Sequence, residues 1–326
     1  MTALPYCFYP TKVVCIDDDS EFIETLRLNR HQNTTAFQIL DNAEIALSYL
    51  RDKGKNNVLF ERVLHEQGYP LDCSSASYLY QEITNPLRHE VVACVLIGKQ
   101  IHDNSGLEVC RKMTDPRVKK IYLTPTLEQD TAVIAFNQGL IDFYVSKDDP
   151  KAPEIIDDYI NQAQIKYFEE LVNNPFQRLL KEWHSLSREG SALEDPLFLD
   201  YFKSYLQKNK IKEYYPLDLV GSFLCLDAHE KASALLTFTD LSLARHMMDA
   251  AELTEAEPHL WKRIEEKLTP PAFCIPSLYH PVFQDPEPFV MPVYPQKFGH
   301  QHYNLAFVPQ IGNATPSLRD LGILHL

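Results

Sequence analysis

The strongest constraint on this chain's fold is an alternation between short, unbroken apolar runs and helical stretches over its first half. Residues 12–16 read KVVCI, and Asp17, Asp18 and Asp19 follow directly. Ala36–Leu40, Val91–Ile97, Lys120–Leu123 and Ile141–Val145 repeat the pattern of a buried strand. Between them, Ser20–Leu28, a segment capped by Asp41 and running to Tyr49, Gly106–Met113 and Gln129–Gln138 read as helices. A final helix spans residues 152–171, where Ile155, Ile156, Tyr159, Ile160, Ala163 and Tyr167 keep close to a 3.6-residue period. Strands too apolar to show one polar face must be covered on both sides. Five of them alternating with helices specify an α/β unit with a five-stranded parallel sheet. Its ligand crevice is expected at the carboxyl ends of the strands.

One connection is far too long for such a unit. About forty residues, 51–89, stand where a handful would suffice. They contain VLFERVLHEQG and SSASYLYQEI, two short helical patterns with their own apolar residues, so an ordered helical insertion is expected. Beyond the last helix, 171–197 reads as a helical linker, and 198–326 as a smaller mixed α+β domain. That domain opens with a helix near Phe198–Gln207 and continues with a β-hairpin, GSFLCLDAHEKASALLTFT, turning at His229-Glu230. Helices are expected at Ser242–Ala250 and His259–Lys267, then a proline-rich tail with a strand at YNLAF, 303–307.

Composition removes several classes of function. The formal net charge of −14 opposes binding to a nucleic-acid backbone, and the basic cluster Lys208–Lys212 is short. No run approaches 18 apolar residues, and the N-terminus lacks a basic region followed by an apolar core, so a cytoplasmic protein without a membrane span is expected. The seven cysteines form no CxxC pair and several lie in apolar runs, as buried free thiols do. The twelve histidines include no HExxH motif.

The residues at the strand ends carry chemistry. Two acids after the first strand, a hydroxyl after the fourth (Thr124) and a lysine after the fifth (Lys147) suit a site where Mg²⁺ and an ammonium group neutralise a phosphoryl group. CIDDD, SGLEVCRKM, IYLTP and FYVSK fall in the order found in receiver domains, and residues 11–170 resemble the CheY-like receiver of bacterial two-component response regulators. The resemblance implies a flavodoxin-like fold for 1–170. It also implies metal-binding roles for Asp17 and Asp18, a switch role for Thr124, a rotating aromatic at Tyr144 and a phosphate-sensing role for Lys147.

It implies an aspartate at position 98, where this chain has Gly98. His102 and Asp148 stand where proline is usual. Glycine accepts no phosphoryl group and ligates no metal through a side chain. The expectation is therefore weak Mg²⁺ binding at Asp17 and Asp18, or none, and no other cofactor. Asp103, on the next loop, is the nearest substitute acceptor, and Lys99 either pairs with Asp17 or Asp18 or faces solvent. The long insertion and a second domain that is not an obvious DNA binder suit an atypical branch of the family, a pseudo-receiver.

Two functions follow. The first is phosphorylation-independent signalling by protein contact through a surface within 126–160, toward a signalling partner or a second copy, with Asp17, Asp18 and Lys147 either a relic ion-pair network or the hold on a constitutive signalling shape. The second is a small-ligand-binding or enzymatic C-terminal domain, in which Tyr214, Tyr215, Phe223, Phe238 and Trp261 line a pocket. An enzyme is the less expected of the two.

Overall fold

A computed structural model describes residues 4–29, 36–54, 86–124, 129–187, 190–244 and 292–308. The insertion helices expected within 55–85, the helix at 259–267, the proline-rich segment before 292 and Trp261 lie outside these residues, as does all but the start of the helix at 242–250. Contacts divide the chain into two units. One holds the described residues from Pro10 to Asn173, and the other takes Tyr6–Tyr9 and residues from Asn174 onward.

The first unit contains β1 (Lys12–Ile16), β2 (Phe37–Leu40), β3 (Val92–Gly98), β4 (Lys119–Thr124) and β5 (Phe143–Ser146), all parallel, in the order β2-β1-β3-β4-β5. The helices are α1 (Ser20–Asn29), α2 (Ala43–Gly54), α3 (Gly106–Lys112), α4 (Gln129–Asn137) and α5 (Ala152–Phe168). Every residue of β3 is buried, which is why the sequence there shows no alternation. Val13, Cys15, Leu96, Ile121 and Val145 pack with Phe22 and Leu26 of α1 and with Ile156, Ile160 and Ala163 of α5. Val14 and Ile16 alternate onto the opposite face and are equally buried. Each such side chain contributes roughly 1.5–3 kcal/mol on leaving water.

Two local readings change. Helix α2 is capped by Asn42, not Asp41: its Oδ1 accepts from the N–H groups of Glu44 (2.9 Å) and Ile45 (3.1 Å). The final helix is α-helical only to Phe168 and widens into a π turn over Glu169–Asn173. There, Glu170 accepts a 2.6 Å hydrogen bond from the buried Lys119 at the start of β4.

The second unit is built on an antiparallel sheet of β6 (Ile211–Pro216), β7 (Phe223–Asp227), β8 (Ala232–Phe238), β9 (Val293–Phe298) and β10 (Gln301–Val308), ordered β9-β10-β8-β7-β6. Helices α6 (Asn174–Ser187) and α7 (Pro196–Lys208) belong to it, the latter capped by Asp195. The β7–β8 hairpin turns at Glu230, in the left-handed region at φ 57°. Phe8 extends the sheet by pairing with Tyr214, through N–H···O bonds of 3.0 and 2.8 Å. Tyr214, Tyr215, Phe223 and Phe238 are all buried, and Phe202 of α7 stacks on Phe223 at 4.0 Å. These rings fill the core of the unit, which weakens the reading of them as a pocket lining.

A candidate receiver-type site at the carboxyl edge of the sheet

Strand β1 ends at Ile16 and delivers three successive carboxylates to the carboxyl edge of the parallel sheet. Asp17 is fully buried. Its Oδ1 accepts from the Asp19 N–H (3.0 Å) and from Lys147 Nζ (2.9 Å), while its Oδ2 lies 2.8 Å from the same ammonium as an ion-pair contact without an aligned hydrogen bond. Lys147 leaves the end of β5, anchored where its N–H donates to the Thr124 carbonyl (2.7 Å). Its ammonium also reaches Asp19 Oδ2 (3.1 Å) and sits 5.0 Å from the centre of the Phe22 ring. Asp19 caps α1 through the Phe22 N–H (3.1 Å). That bond, joined by Lys147 and outweighing partial burial, holds the Asp19 carboxyl below its ordinary range. Two residues before Asp17, within β1, burial and the nearby Asp17 charge push the Cys15 thiol up to about 12, so it stays protonated.

Gly98 closes β3 directly beside Asp17. A Cβ on Gly98 would stand 2.6 Å from Asp17 Oδ2 and 2.7 Å from its Cγ. The carboxylate of Asp17 therefore occupies the space in which a side chain at position 98 would begin. Gly106, at the start of α3, is under a harder constraint, because a Cβ there would stand 1.9 Å from the Gly98 carbonyl oxygen. The Gly106 N–H donates to the Lys99 carbonyl at 2.9 Å.

Between these glycines, Gln100–Ile101 and Asn104–Ser105 form a two-residue antiparallel ribbon whose turn holds His102 at φ 50°. The His102 N–H donates to Asp18 Oδ2 at 2.7 Å, and its ring Nδ1 lies 3.3 Å from the same oxygen. Asp103 is exposed at this turn, and Lys99 is half-buried. The cation against Asp17 is Lys147, and the His102 N–H meets Asp18.

Thr124 is buried at the end of β4. Tyr144 is half-buried on β5 and lines a groove of about 660 Å³ with Tyr159 and Ile155 of α5, open at Asp148 and Asp149. On α4, Val133, Ile134 and Phe136 are exposed by 48%, 56% and 54%. Position 98 contributes no carboxylate, and an ion placed between Asp17 and Asp18 would have to displace Lys147 and His102. These residues do not form a ready magnesium cage, which needs near-octahedral oxygen donors.

Sequence reasoning named Asp17, Asp18, Thr124 and Lys147, which lie at the carboxyl ends of β1, β4 and β5, but gave Asp19 and His102 no partners. The run of three aspartates was the available signal for Asp19. The His102 contact runs through a backbone N–H, which no residue type announces.

No protein-family model matches the chain, and a search of curated proteins found no match. Among solved structures, the response regulator LqsR of Legionella pneumophila aligns with 99% of this chain and 94% of its own, with a TM-score of 0.70 and 24% identity. A CheY-like receiver domain protein from Methanospirillum hungatei aligns over 49% of this chain and 98% of its own, with a TM-score of 0.32 and 15% identity. A receiver domain of an HD domain-containing protein from Pseudomonas fluorescens covers 49% of this chain and 91% of its own, with a TM-score of 0.35 and 15% identity. Among the described residues, no helix is long and apolar enough to cross a membrane. The order β2-β1-β3-β4-β5, with acids after β1 and lysine after β5, gives the first unit a CheY-like receiver fold, and the chain is similar in fold to the response regulator LqsR.

Proposed function

We propose that this chain is an atypical response regulator, acting in the cytoplasm, whose pseudo-receiver signals by protein contact without phosphorylation. The observation that carries this reading is the Asp17 carboxylate lying 2.6 Å from where a Cβ on Gly98 would be, clamped there by Lys147. The acceptor is missing, its space is filled, and the cation that would sense a phosphoryl group is already neutralised. In this reading Asp17, Asp18, Thr124, Tyr144 and Lys147 are remnants of a phosphorylation site that now fix one shape, and Mg²⁺ binds weakly.

The contact surface lies within 126–160. Its support is the exposed apolar trio on α4, together with the groove on β5 and α5 that Asp148 and Asp149 line. A signalling protein or a second copy of the chain is the occupant. Residues 198–326 then act as the output domain, joined through 171–197. The packed aromatic core of the second unit favours protein contact over a ligand-binding or enzymatic output.

The test is incubation with acetyl phosphate and Mg²⁺, followed by intact mass and by light scattering of the wild type and of Ile134→Asp/Phe136→Asp. No phosphoryl adduct, with a dimer in the wild type or a retrievable partner lost in the double variant, supports the proposal. A stoichiometric adduct refutes it, and peptide mapping would then show whether Asp103 accepts in place of Gly98.

A further inference from the structure

The first unit has a second concave feature, at the end of the sheet opposite the Asp17–Lys147 pair. A groove of about 460 Å³ opens between α2, the start of β3 and the turn that follows α3. Strand β3 begins there with Val92 and ends at Gly98, six residues later, which places the groove about 20 Å from the receiver-type site. The groove owes nothing to that site's chemistry.

Its floor is apolar, formed by Leu50, Val92 and Val118, and its wall carries Arg51, Lys53, Lys112 and Arg117. Asp115 is the one acid among the lining residues. It holds the Arg117 guanidinium by paired contacts of 3.1 Å and accepts from the Arg117 N–H at 3.0 Å, which fixes that cation at the groove. Lys53 is bound to Glu90 at 2.7 Å. Arg51 and Lys112 are exposed, and among the described residues neither has an acidic partner. In a chain of net charge −14, a cleft with four cations and one acid on its wall is a local reversal of the field.

We infer that this groove binds an amphiphilic anion, a carboxylate carried on an alkyl chain, with the chain on the Leu50–Val92–Val118 floor and the carboxylate between Arg51 and Lys112. The volume lies in the range of about 300–1,000 Å³ typical of small-molecule sites. Apolar and cationic residues lining one groove are the complement of that ligand: the apolar part rewards a chain by area, and the cations favour a carboxylate over an alcohol.

Isothermal titration of the full chain with decanoate below its micelle concentration tests this, with decyltrimethylammonium as the chain-matched cation. The expected result is saturable one-to-one binding of decanoate, no binding of the cation, and at least a tenfold loss of decanoate affinity in Arg51→Glu/Lys112→Glu. Both substituted side chains are exposed in last helical turns, so the variant should melt cooperatively, lowered only by the lost helix-end charges, while that loss is measured. Met113→Trp, which fills the groove without altering its charge, should also weaken binding at least tenfold. Absence of saturable decanoate binding overturns the inference, as does equal binding of the cation or wild-type affinity in both variants. The outcome is independent of whether the receiver can be phosphorylated, because none of these substitutions touches Asp17, Gly98 or Lys147.

Discussion

The ammonium of Lys147 lies 2.9 and 2.8 Å from the two carboxylate oxygens of Asp17, and it is the cation that makes a fully buried aspartate tolerable at the edge of this sheet. Charges brought out of water are costly unless paired and hydrogen-bonded. Asp17 meets both conditions through Lys147 and the Asp19 N–H, and Lys147 is itself nearly buried, with 10% of its side chain exposed.

Removing the cation should therefore cost more than removing the pair. Lys147→Met leaves Asp17 charged and buried, and should destabilise the protein by about 3–5 kcal/mol. In Asp17→Asn/Lys147→Met the neutral amide retains the Asp19 N–H bond, and most of that loss should return. Urea denaturation of the wild type, the two single variants and the double variant gives the coupling directly. A Lys147→Met midpoint equal to that of the wild type would mean that Asp17 is not held as described.

Restoring an aspartate at position 98 should not restore phosphorylation. A Cβ there would lie 2.6 Å from an oxygen that Lys147 and Asp19 hold in place, so even Gly98→Ala should cost about 1–3 kcal/mol, the range for overpacking a filled site. Gly98→Asp adds a second carboxylate against the first and should be worse, with no adduct from acetyl phosphate. The check is a cycle. The cost of Gly98→Ala should largely vanish in an Asp17→Ala background, where the obstructing oxygens are gone.

The first unit was legible because its three central strands are largely buried, and a parallel sheet covered on both faces leaves its mark as unbroken apolar runs such as Val92–Ile97. Two strands of the second unit were not. Ile211–Pro216 and Val293–Phe298 carry charges and prolines, which argue against a strand by composition alone. They lie at the two ends of the sheet order, where a missing N–H is tolerated. At the site, residue types and order put Asp17 and Lys147 in one ion-pair network. They could not indicate that Asp17 leans into the space beside Gly98, or that a backbone N–H at His102 would satisfy Asp18. Both depend on how the β3–α3 connection folds back, which is set by contacts rather than by composition.

That connection supplies a sharper test of the fold. Gly106 lies so close to β3 that a Cβ would stand 1.9 Å from the Gly98 carbonyl oxygen, a backbone atom fixed within the sheet. No rotamer relieves such a contact. Gly106→Ala should cost about 3 kcal/mol or more, beyond the ordinary range for one added methyl group. Gly139, where nothing lies within 4 Å of the added Cβ but φ is 66°, makes a useful contrast. Gly139→Ala should be penalised only by its left-handed backbone, at about 1–2 kcal/mol. Thermal melts that ranked Gly139→Ala as the more damaging would show that α3 does not approach β3 as closely as described.

The last prediction concerns acid. Glu90 receives hydrogen bonds from Lys12 (2.5 Å) and Lys53 (2.7 Å), which hold its carboxyl below its ordinary value of 4.5 against a smaller effect of burial. A carboxyl lowered in the folded state binds its proton more readily when unfolded, so stability falls as pH falls. The contribution is fully present above about pH 4.5, declines below it, and is gone once pH passes through the lower folded value. In Glu90→Gln the group no longer titrates. The variant should be less stable than the wild type at pH 7, and the gap should close as pH falls below 4.5 and the wild type loses the charge that the variant never had. Urea midpoints for both proteins across that window decide it. Parallel curves would mean that the Lys12 and Lys53 contacts do not favour the ionised form of Glu90.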